Sequence, residues 1–187
     1  SIPSGYLVAR SKGIDIRRRG SSNIGAANVV RVMGKRWGYL VFFADFFKGF
    51  LAVKIGYAIA GGSVWGSAIA GVACIIGHDY TVWLGFNGGK GVATSAGAVL
   101  ALCPPLMTIS LVIVWIAVFF IGRYTSLASI ASAVALPVAA LAFVPKTGTG
   151  FWLLLTFSVL SGALAIWRHR SNIGRLLNGT ENRFGKK

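Results

Sequence analysis

The stretch LMTISLVIVWIAVFFIG, residues 106–122, contains no charged side chain. A helix needs about 17 to 25 mostly apolar residues to cross the hydrocarbon core of a bilayer. A second uncharged stretch, FWLLLTFSVLSGALAIW at 151–167, has the same character. These two segments predict membrane-spanning helices, and therefore an all-α, polytopic transmembrane bundle.

The composition of the whole chain agrees with a membrane location. The sequence has 187 residues, of which 55% are hydrophobic, and 19 Lys and Arg against four acidic residues give a net charge of +15. A nucleic-acid-binding protein is the usual alternative for such a charge, but those proteins are polar. Here the basic residues lie in short clusters between apolar blocks, so we expect no nucleic-acid partner.

Hydropathy predicts further spans elsewhere in the chain, at 37–57, 62–78, 92–104 and 126–144. The chain opens without Met and has only a short apolar stub before Arg10. We therefore expect it to begin partway through a first spanning helix, which gives seven helices in a single integral membrane domain over 1–187. Small residues in 126–144 predict close helix packing there, and Pro137 is a possible kink.

The distribution of basic residues predicts the orientation of the bundle. Alternate loops, at 11–36, 79–91, 123–125 and 168–187, hold fifteen of the 19 basic residues. The opposite loops hold only Lys146. Because Lys and Arg concentrate in cytoplasmic loops, we expect the N-terminus outside and the C-terminus in the cytoplasm.

A glycine-rich stretch, GFNGGKGVATS at 85–95, precedes the shortest predicted span. It does not match the nucleotide P-loop, which needs a glycine five places before the Gly-Lys pair and a hydroxyl directly after it. Three glycines around Lys90 still allow the backbone to approach a ligand closely, and the lysine supplies a positive charge. The stretch predicts an anion site that does not bind a nucleotide.

Unusual polar sequence occurs in three segments on the predicted cytoplasmic side, at 20–31, 77–95 and 167–183. Helix N-termini, arginine forks and a lysine are all suited to phosphate groups. We assign Arg31, Lys90, His169 and Asn172 to a composite anion site. The other basic residues of these regions are expected to anchor the protein at the membrane surface, namely Arg17, Arg18, Arg19, Lys186 and Lys187.

The predicted span 37–57 contains Asp45, Lys48 and Lys54. Charges within a span are candidates for function. An ion pair between Asp45 and Lys48, one helical turn apart, with Lys54 directed outward, is an equally weighted structural alternative. Cys74 and Cys103 lie in apolar stretches without paired spacing, so we expect neither a disulfide nor a metal site.

Taken together, the segments resemble those of the bacterial acyl-phosphate:glycerol-3-phosphate acyltransferases, which are integral membrane enzymes of phospholipid synthesis. The resemblance extends over nearly the whole chain and includes SIPSGYL at 1–7, FFADFFKG at 42–49 and RYTSLASIAS at 123–132. It implies seven transmembrane helices in the bacterial inner membrane, with the active site facing the cytoplasm. The implied reaction transfers a fatty acyl group from acyl phosphate to the sn-1 hydroxyl of glycerol 3-phosphate. This reaction releases lysophosphatidic acid and phosphate and does not use CoA. The resemblance implies no cofactor and no metal.

The resemblance also implies roles for individual residues. Catalytic roles fall on Ser21, Arg31, Lys90, His169 and Asn172, and substrate-binding roles fall on Asn28, Gly88, Gly89, Gly91, Ser129 and Glu181. The sequence departs from the family at one position, because Ser22 replaces the second glycine of the common Gly-Ser-Gly-Asn motif. If this position has a positive φ, serine costs roughly 1 kcal/mol there.

The residue chemistry favours direct acyl transfer without a covalent enzyme intermediate. Lys90, Arg31 and backbone N–H groups would neutralise phosphate and oxyanion charge. His169, Asn172 and Ser129 would position glycerol 3-phosphate, and a substrate phosphate oxygen would accept the hydroxyl proton. Ser21 as a nucleophile is a weaker alternative, since the sequence shows no base beside it.

Two other classes of function remain open from the sequence. A transporter or channel for a phosphorylated anion would also use a short, glycine-broken helix, but the predicted outer loops are nearly featureless. A non-catalytic lipid-binding scaffold would explain the basic face but not the glycine-rich stretch. For the enzyme, the expected partners are the two substrates, membrane lipid and the soluble enzyme that makes acyl phosphate.

Overall fold

The computed structural model describes residues 1–185, and in that part of the chain every regular element is helical. The helices are α1 (Ser4–Arg10), α2 (Ala26–Met33), α3 (Lys35–Ile59), α4 (Val64–Asp79), α5 (Val92–Leu102), α6 (Pro105–Gly122), α7 (Thr125–Phe143), α8 (Gly148–Arg168) and α9 (Arg170–Leu177). Single 3₁₀ turns occur at Ile16–Arg18 and Val82–Leu84. The all-α prediction is therefore confirmed.

Each of the six predicted spans is a helix, with ends displaced by a few residues. By length and composition, four segments of the described chain can cross a membrane: Val64–Leu84, Pro105–Gly122, Thr125–Phe143 and Gly148–Arg168. Helix α3 has 25 residues, long enough to cross at 1.5 Å per residue, but it carries more charge than those four. Helix α5 has only 11 residues. That α3 and α5 enter the membrane, and the direction of the chain across it, stay predictions.

The chain divides into two compact units, Ser1–Ala101 and a second unit from Leu102 onward. In the first unit, α3 packs against α2 and α4. Glycine allows α3 and α5 to approach closely, because a methyl group on Gly49 would overlap the carbonyl oxygen of Thr94, and one on Gly97 would overlap that of Phe46. Contacts of this kind are typical of membrane helices, which associate through small residues.

In the second unit, α7 packs between α6 and α8. Its small residues Ala128, Ser129 and Ala133 are buried, which confirms the close packing predicted for this helix. A methyl group on Gly162 of α8 would crowd the carbonyl oxygen of Ala133 at 2.6 Å. Pro137 lies inside α7.

The structure shows how the charges in α3 are arranged. Lys48 Nζ donates to Asp45 Oδ1 at 2.6 Å, as the structural alternative predicted. Lys54 is exposed and lies over the Phe50 ring, with Nζ 5.6 Å from the ring centroid. The predicted ion pair and the outward lysine are thus both confirmed. Cys74 and Cys103 form no disulfide.

Candidate active site

The first loop is organised around Asn28, in the first turn of α2. This side chain is 2% exposed. Its Oδ1 accepts a hydrogen bond from the Ser21 N–H at 2.8 Å, and its Nδ2 donates to the Arg19 and Asn23 carbonyl oxygens at 3.0 and 2.8 Å. Because these contacts hold the backbone on both sides of Ser21, Asn28 sets the position of that residue. A direct role for Asn28 in substrate binding stays a prediction.

Ser22 has a φ of 57°, and Gly20, two residues earlier, has a φ of 58°. The left-handed conformation expected at position 22 is therefore present, with serine where the family commonly has glycine. A methyl group on Gly20 would overlap Asn28 Oδ1, so glycine is required there both for its φ and for space. The loop before α2 is thus strained at Ser22 and tightly packed at Gly20.

Arg31 lies in the last turn of α2 and is exposed, whereas Asn28 and Val29 of the same helix are buried. The helix therefore packs through one face and directs its arginine away from the core of the first unit. A planar guanidinium in this setting is suited to a phosphate group.

The glycine-rich stretch folds against the end of α4. The Gly88 N–H donates to the Asp79 carbonyl oxygen at 3.2 Å, and the Gly89 N–H donates to the His78 carbonyl oxygen at 3.1 Å. A methyl group on Gly88 would overlap the His78 carbonyl oxygen, and one on Gly89 would overlap His78 Nε2. These two glycines are therefore needed for contact with α4, a reason that differs from the close ligand approach expected from the sequence.

Lys90 is half-buried and lies between the buried residues Gly89 and Gly91. Gly91 has a φ of 66°, and its carbonyl oxygen accepts from the Ser95 N–H at 2.6 Å, where α5 begins. Lys90 thus occupies a short, fixed connection between the end of α4 and the N-terminus of α5. A helix N-terminus and a lysine both favour an anion at this position.

In the second unit, Glu181 joins three segments of the chain. Its Oε1 accepts hydrogen bonds from Asn172 Nδ2 at 2.6 Å and from Ser126 Oγ at 2.8 Å, and its Oε2 accepts from Arg175 Nε at 2.7 Å. Burial opposes ionisation of the carboxyl group, but the hydrogen bonds from Asn172, Ser126 and Arg175 outweigh it and lower the pKa of Glu181. A carboxylate held in this way positions Asn172. The substrate-binding role implied for Glu181 by the family resemblance stays a prediction.

His169 follows the last residue of α8 and is 3% exposed. Its Nδ1 lies 2.8 Å from the Ala165 carbonyl oxygen. Because a carbonyl oxygen can only accept, Nδ1 carries a proton, so in the neutral form of the ring Nε2 is the acceptor nitrogen. The local geometry therefore favours His169 as a hydrogen-bond acceptor for a hydroxyl group.

Ser129 is buried in α7. Its Oγ donates to the Thr125 carbonyl oxygen at 2.7 Å and accepts from Trp115 Nε1 at 3.2 Å. These contacts link α6 to α7 through the hydroxyl group. The phosphate contact implied for Ser129 by the family resemblance stays a prediction.

The structure brings together some of the predicted residues and adds others. Ser21 and Asn28 meet in the first unit, and Asn172 and Glu181 meet in the second. Ser126 and Arg175 complete the second cluster, although the sequence suggested only packing for Ser126. The sequence signal for this cluster was the single glutamate of the chain, which follows a segment rich in hydrogen-bond donors. His78 lies within the second polar segment, 77–95, and the sequence predicted no role for it.

In residues 1–185 no group of three or more His, Cys, Asp and Glu is placed to hold a metal ion.

Comparisons with known proteins give a consistent result. A family model described as glycerol-3-phosphate acyltransferase matches residues 1–179. The glycerol-3-phosphate acyltransferases of Aquifex aeolicus (strain VF5) and Geotalea daltonii are 44% and 43% identical to this chain. Each alignment covers 98% of the chain, and 93% and 91% of those proteins respectively.

Two solved structures are also similar, with TM-scores of 0.85. Both are of PlsY (YgiH), an integral membrane glycerol 3-phosphate acyltransferase, one in the glycerol 3-phosphate form and one in the lysophosphatidic acid form. They are 42% and 41% identical to this chain, and each match covers 98% of it and 90% and 89% of the solved chains.

Proposed function

Because the chain belongs to the glycerol-3-phosphate acyltransferase family, it is an integral membrane enzyme that acylates glycerol 3-phosphate to lysophosphatidic acid, and we propose that its acyl donor is an acyl phosphate. Family membership excludes the transporter and the scaffold as the main function. The donor, the positions of the substrates and the orientation in the membrane are the finer parts of the proposal.

The choice of an acyl phosphate as the donor is supported by the short, fixed segment around Lys90, between the end of α4 and the N-terminus of α5. Gly88 and Gly89 are hydrogen-bonded to the end of α4, and α5 begins directly after Gly91. This arrangement offers a lysine and a helix N-terminus to one phosphate group, and the apolar helix that follows suits a fatty tail. Acyltransferases that use CoA have a His-x-x-x-x-Asp pair, and neither histidine of this chain is followed by aspartate at that spacing.

The proposed reaction is a direct transfer. The sn-1 hydroxyl oxygen of glycerol 3-phosphate attacks the acyl carbonyl carbon, the bond from that carbon to the phosphate oxygen breaks, and inorganic phosphate leaves with the hydroxyl proton. Phosphate is a good leaving group, so positioning the alcohol against the carbonyl supplies much of the acceleration. Arg31 and Lys90 neutralise the donor phosphate and the developing oxyanion.

The acceptor is proposed to bind at the second cluster. His169 Nε2 accepts from a hydroxyl group of glycerol 3-phosphate, and Asn172 and Ser129 contribute polar contacts. Glu181 orients the amide of Asn172 and is itself proposed to border the acceptor. Ser21, with its backbone N–H held by Asn28, is proposed to contact the substrate phosphates, and its use as a nucleophile remains the weaker alternative.

The location is proposed from the charge distribution. The polar segments that contain the site residues also contain most of the Lys and Arg, which favours a cytoplasmic active site in the bacterial inner membrane. A donor with a fatty tail, made in the cytoplasm, would reach this face directly. We therefore propose the soluble enzyme that makes acyl phosphate as a partner.

The test is an assay of the full-length protein in lipid nanodiscs with palmitoyl phosphate and glycerol 3-phosphate, following lysophosphatidic acid. Lys90→Ala is expected to reduce kcat/KM at least about a hundredfold, in the range of a lost oxyanion or phosphate contact. Lys54→Ala, an exposed lysine of the same unit, is the matched control and should retain activity. Robust transfer from palmitoyl-CoA, or unchanged activity of Lys90→Ala, would contradict the proposal.

A further inference from the structure

A buried cluster of ionisable side chains lies behind the glycine-rich stretch and has no part in the reaction described above. Asp45 and Lys48 of α3 and His78 of α4 have side chains that are 3%, 16% and 5% exposed. Burying a charged group costs several kcal/mol unless it is paired and hydrogen-bonded. The contacts within the cluster show how this cost is offset.

Lys48 Nζ makes three contacts, as many as an ammonium group has protons. It lies 2.6 Å from Asp45 Oδ1, 2.9 Å from the Ile2 carbonyl oxygen and 2.7 Å from His78 Nδ1. His78 Nδ1 and Asp45 Oδ1 are 3.7 Å apart, too far for a hydrogen bond. The lysine therefore connects the carboxylate to the imidazole ring.

These contacts determine the tautomer of His78. An ammonium group donates hydrogen bonds and cannot accept them, so His78 Nδ1 must be the acceptor and carries no proton. The proton of the neutral ring is then on Nε2. This is the opposite of His169, whose Nδ1 donates to the Ala165 carbonyl oxygen.

His78 Nε2 faces the glycine-rich stretch. A methyl group on Gly89 would overlap this nitrogen, and the Gly89 N–H donates to the His78 carbonyl oxygen at 3.1 Å. Gly89 therefore rests on the ring of His78 and on its backbone at once. Any displacement of the ring would move Gly89 and the adjacent Lys90.

We propose that Asp45, Lys48 and His78 are positioning residues, in which Lys48, held by Asp45, orients the His78 ring so that it supports the Gly89–Lys90 backbone for donor binding. This inference rests on the proposed placement of the donor phosphate at Lys90. It assigns Lys48 to the support of the loop and not to direct contact with the donor. Lys48 and Lys90 thereby have different roles in donor binding.

The first test is of the tautomer and does not depend on the assay. The chain has two histidines, so ¹⁵N-histidine NMR of the full-length protein in nanodiscs gives two sets of ring signals, assigned with His169→Asn. We expect His78 to be neutral with the proton on Nε2. A doubly protonated ring, or a proton on Nδ1, would overturn the inference.

The second test separates positioning from general destabilisation. The pair Asp45→Asn with Lys48→Met removes both buried charges together, which avoids leaving one unpaired. We expect the KM for palmitoyl phosphate to rise about tenfold or more through displacement of the loop, and the KM for glycerol 3-phosphate to change less than about twofold. Lys54→Met, on the same helix but exposed, is the control and should alter neither KM.

His78 variants test the two ring nitrogens separately. Asparagine can place an amide oxygen near the position of Nδ1, where it can still accept from Lys48, but it leaves the place of the ring beneath Gly89 empty; glutamine reaches the position of Nε2 but loses the acceptor for Lys48. Because neither side chain makes both contacts, His78→Asn and His78→Gln should each raise the donor KM, as the paired variant does, and leave the KM for glycerol 3-phosphate within about twofold. An equal rise in both KM values, or an unchanged donor KM in the folded paired variant, would overturn the positioning role. Lys90→Ala distinguishes the two proposals: if its donor KM is normal, the placement of the phosphate is wrong, whatever the tautomer of His78.

Discussion

Asn172 Nδ2 donates a hydrogen bond of 2.6 Å to Glu181 Oε1, so an amide proposed to bind the substrate is held by the single glutamate of the chain. The same carboxylate accepts from Ser126 and Arg175. The turn after α9 is thereby fastened to the beginning of α7. The Phe184 N–H also donates to the Arg123 carbonyl oxygen at 2.7 Å, which extends the attachment.

Replacing Glu181 by Gln tests this attachment. Hydrogen bonds to a charged group contribute about 1.5–3 kcal/mol, so Glu181→Gln should reduce the free energy of unfolding by roughly 1–3 kcal/mol. The KM for glycerol 3-phosphate should rise, because Asn172 loses its fixed orientation. Thermal unfolding and steady-state kinetics in nanodiscs measure the two effects. The neighbouring exposed variant Asn182→Ala should change neither, and a fully stable, fully active Glu181→Gln would contradict the assignment.

The pH dependence of stability should report the same carboxylate. Hydrogen bonds from Asn172, Ser126 and Arg175 lower its pKa below the ordinary 4.5, against the opposing effect of burial. Because the folded-state pKa is the lower one, the contribution of Glu181 is complete above about pH 5 and is lost as the pH falls through the folded-state value. The free energies of unfolding of wild type and Glu181→Gln, plotted against pH, should therefore converge at acidic pH. Parallel curves at every pH would exclude this linkage.

Ser22→Gly should stabilise the first unit. Ser22 has a φ of 57°, a conformation that costs a residue with a Cβ roughly 0.5–1 kcal/mol relative to glycine. The gain is partly offset by the greater freedom of glycine in the unfolded chain. Thermal unfolding should show a small increase in Tm, whereas Ser22→Ala keeps the Cβ and should show none. A lower Tm for Ser22→Gly would indicate that the hydroxyl group contributes more than the backbone strain.

Most of the helices were predictable because a spanning helix must be long, apolar and nearly free of charge. The predicted span 106–122 and the observed α6, Pro105–Gly122, differ by one residue. Helix α9 was not predicted, since its sequence RSNIGRLL is polar and resembles a loop. Its Asn172 is nevertheless buried, through contacts with a segment that follows it.

The site was predictable only where its geometry is local. The pairing of Asp45 with Lys48 follows from their spacing of one helical turn, and the φ of Ser22 follows from a glycine motif. The contact of Lys48 with His78 joins residues thirty positions apart, and that of Ser126 with Glu181 joins residues fifty-five apart. No periodic pattern connects such residues, so only the packing of α3 on α4, or of the C-terminal turn on α7, reveals them.

Gly89→Ala adds only one methyl group but should reduce activity strongly. The added methyl group would overlap His78 Nε2, and the His78 ring is buried and held by Lys48, so it has little room to move. We expect the loop to shift instead, with a loss of at least about tenfold in kcat/KM for palmitoyl phosphate. Gly150→Ala, where no atom lies within 4 Å of the added carbon, is the matched control and should retain activity. Full activity of Gly89→Ala would show that the contact between the loop and His78 does not govern donor binding.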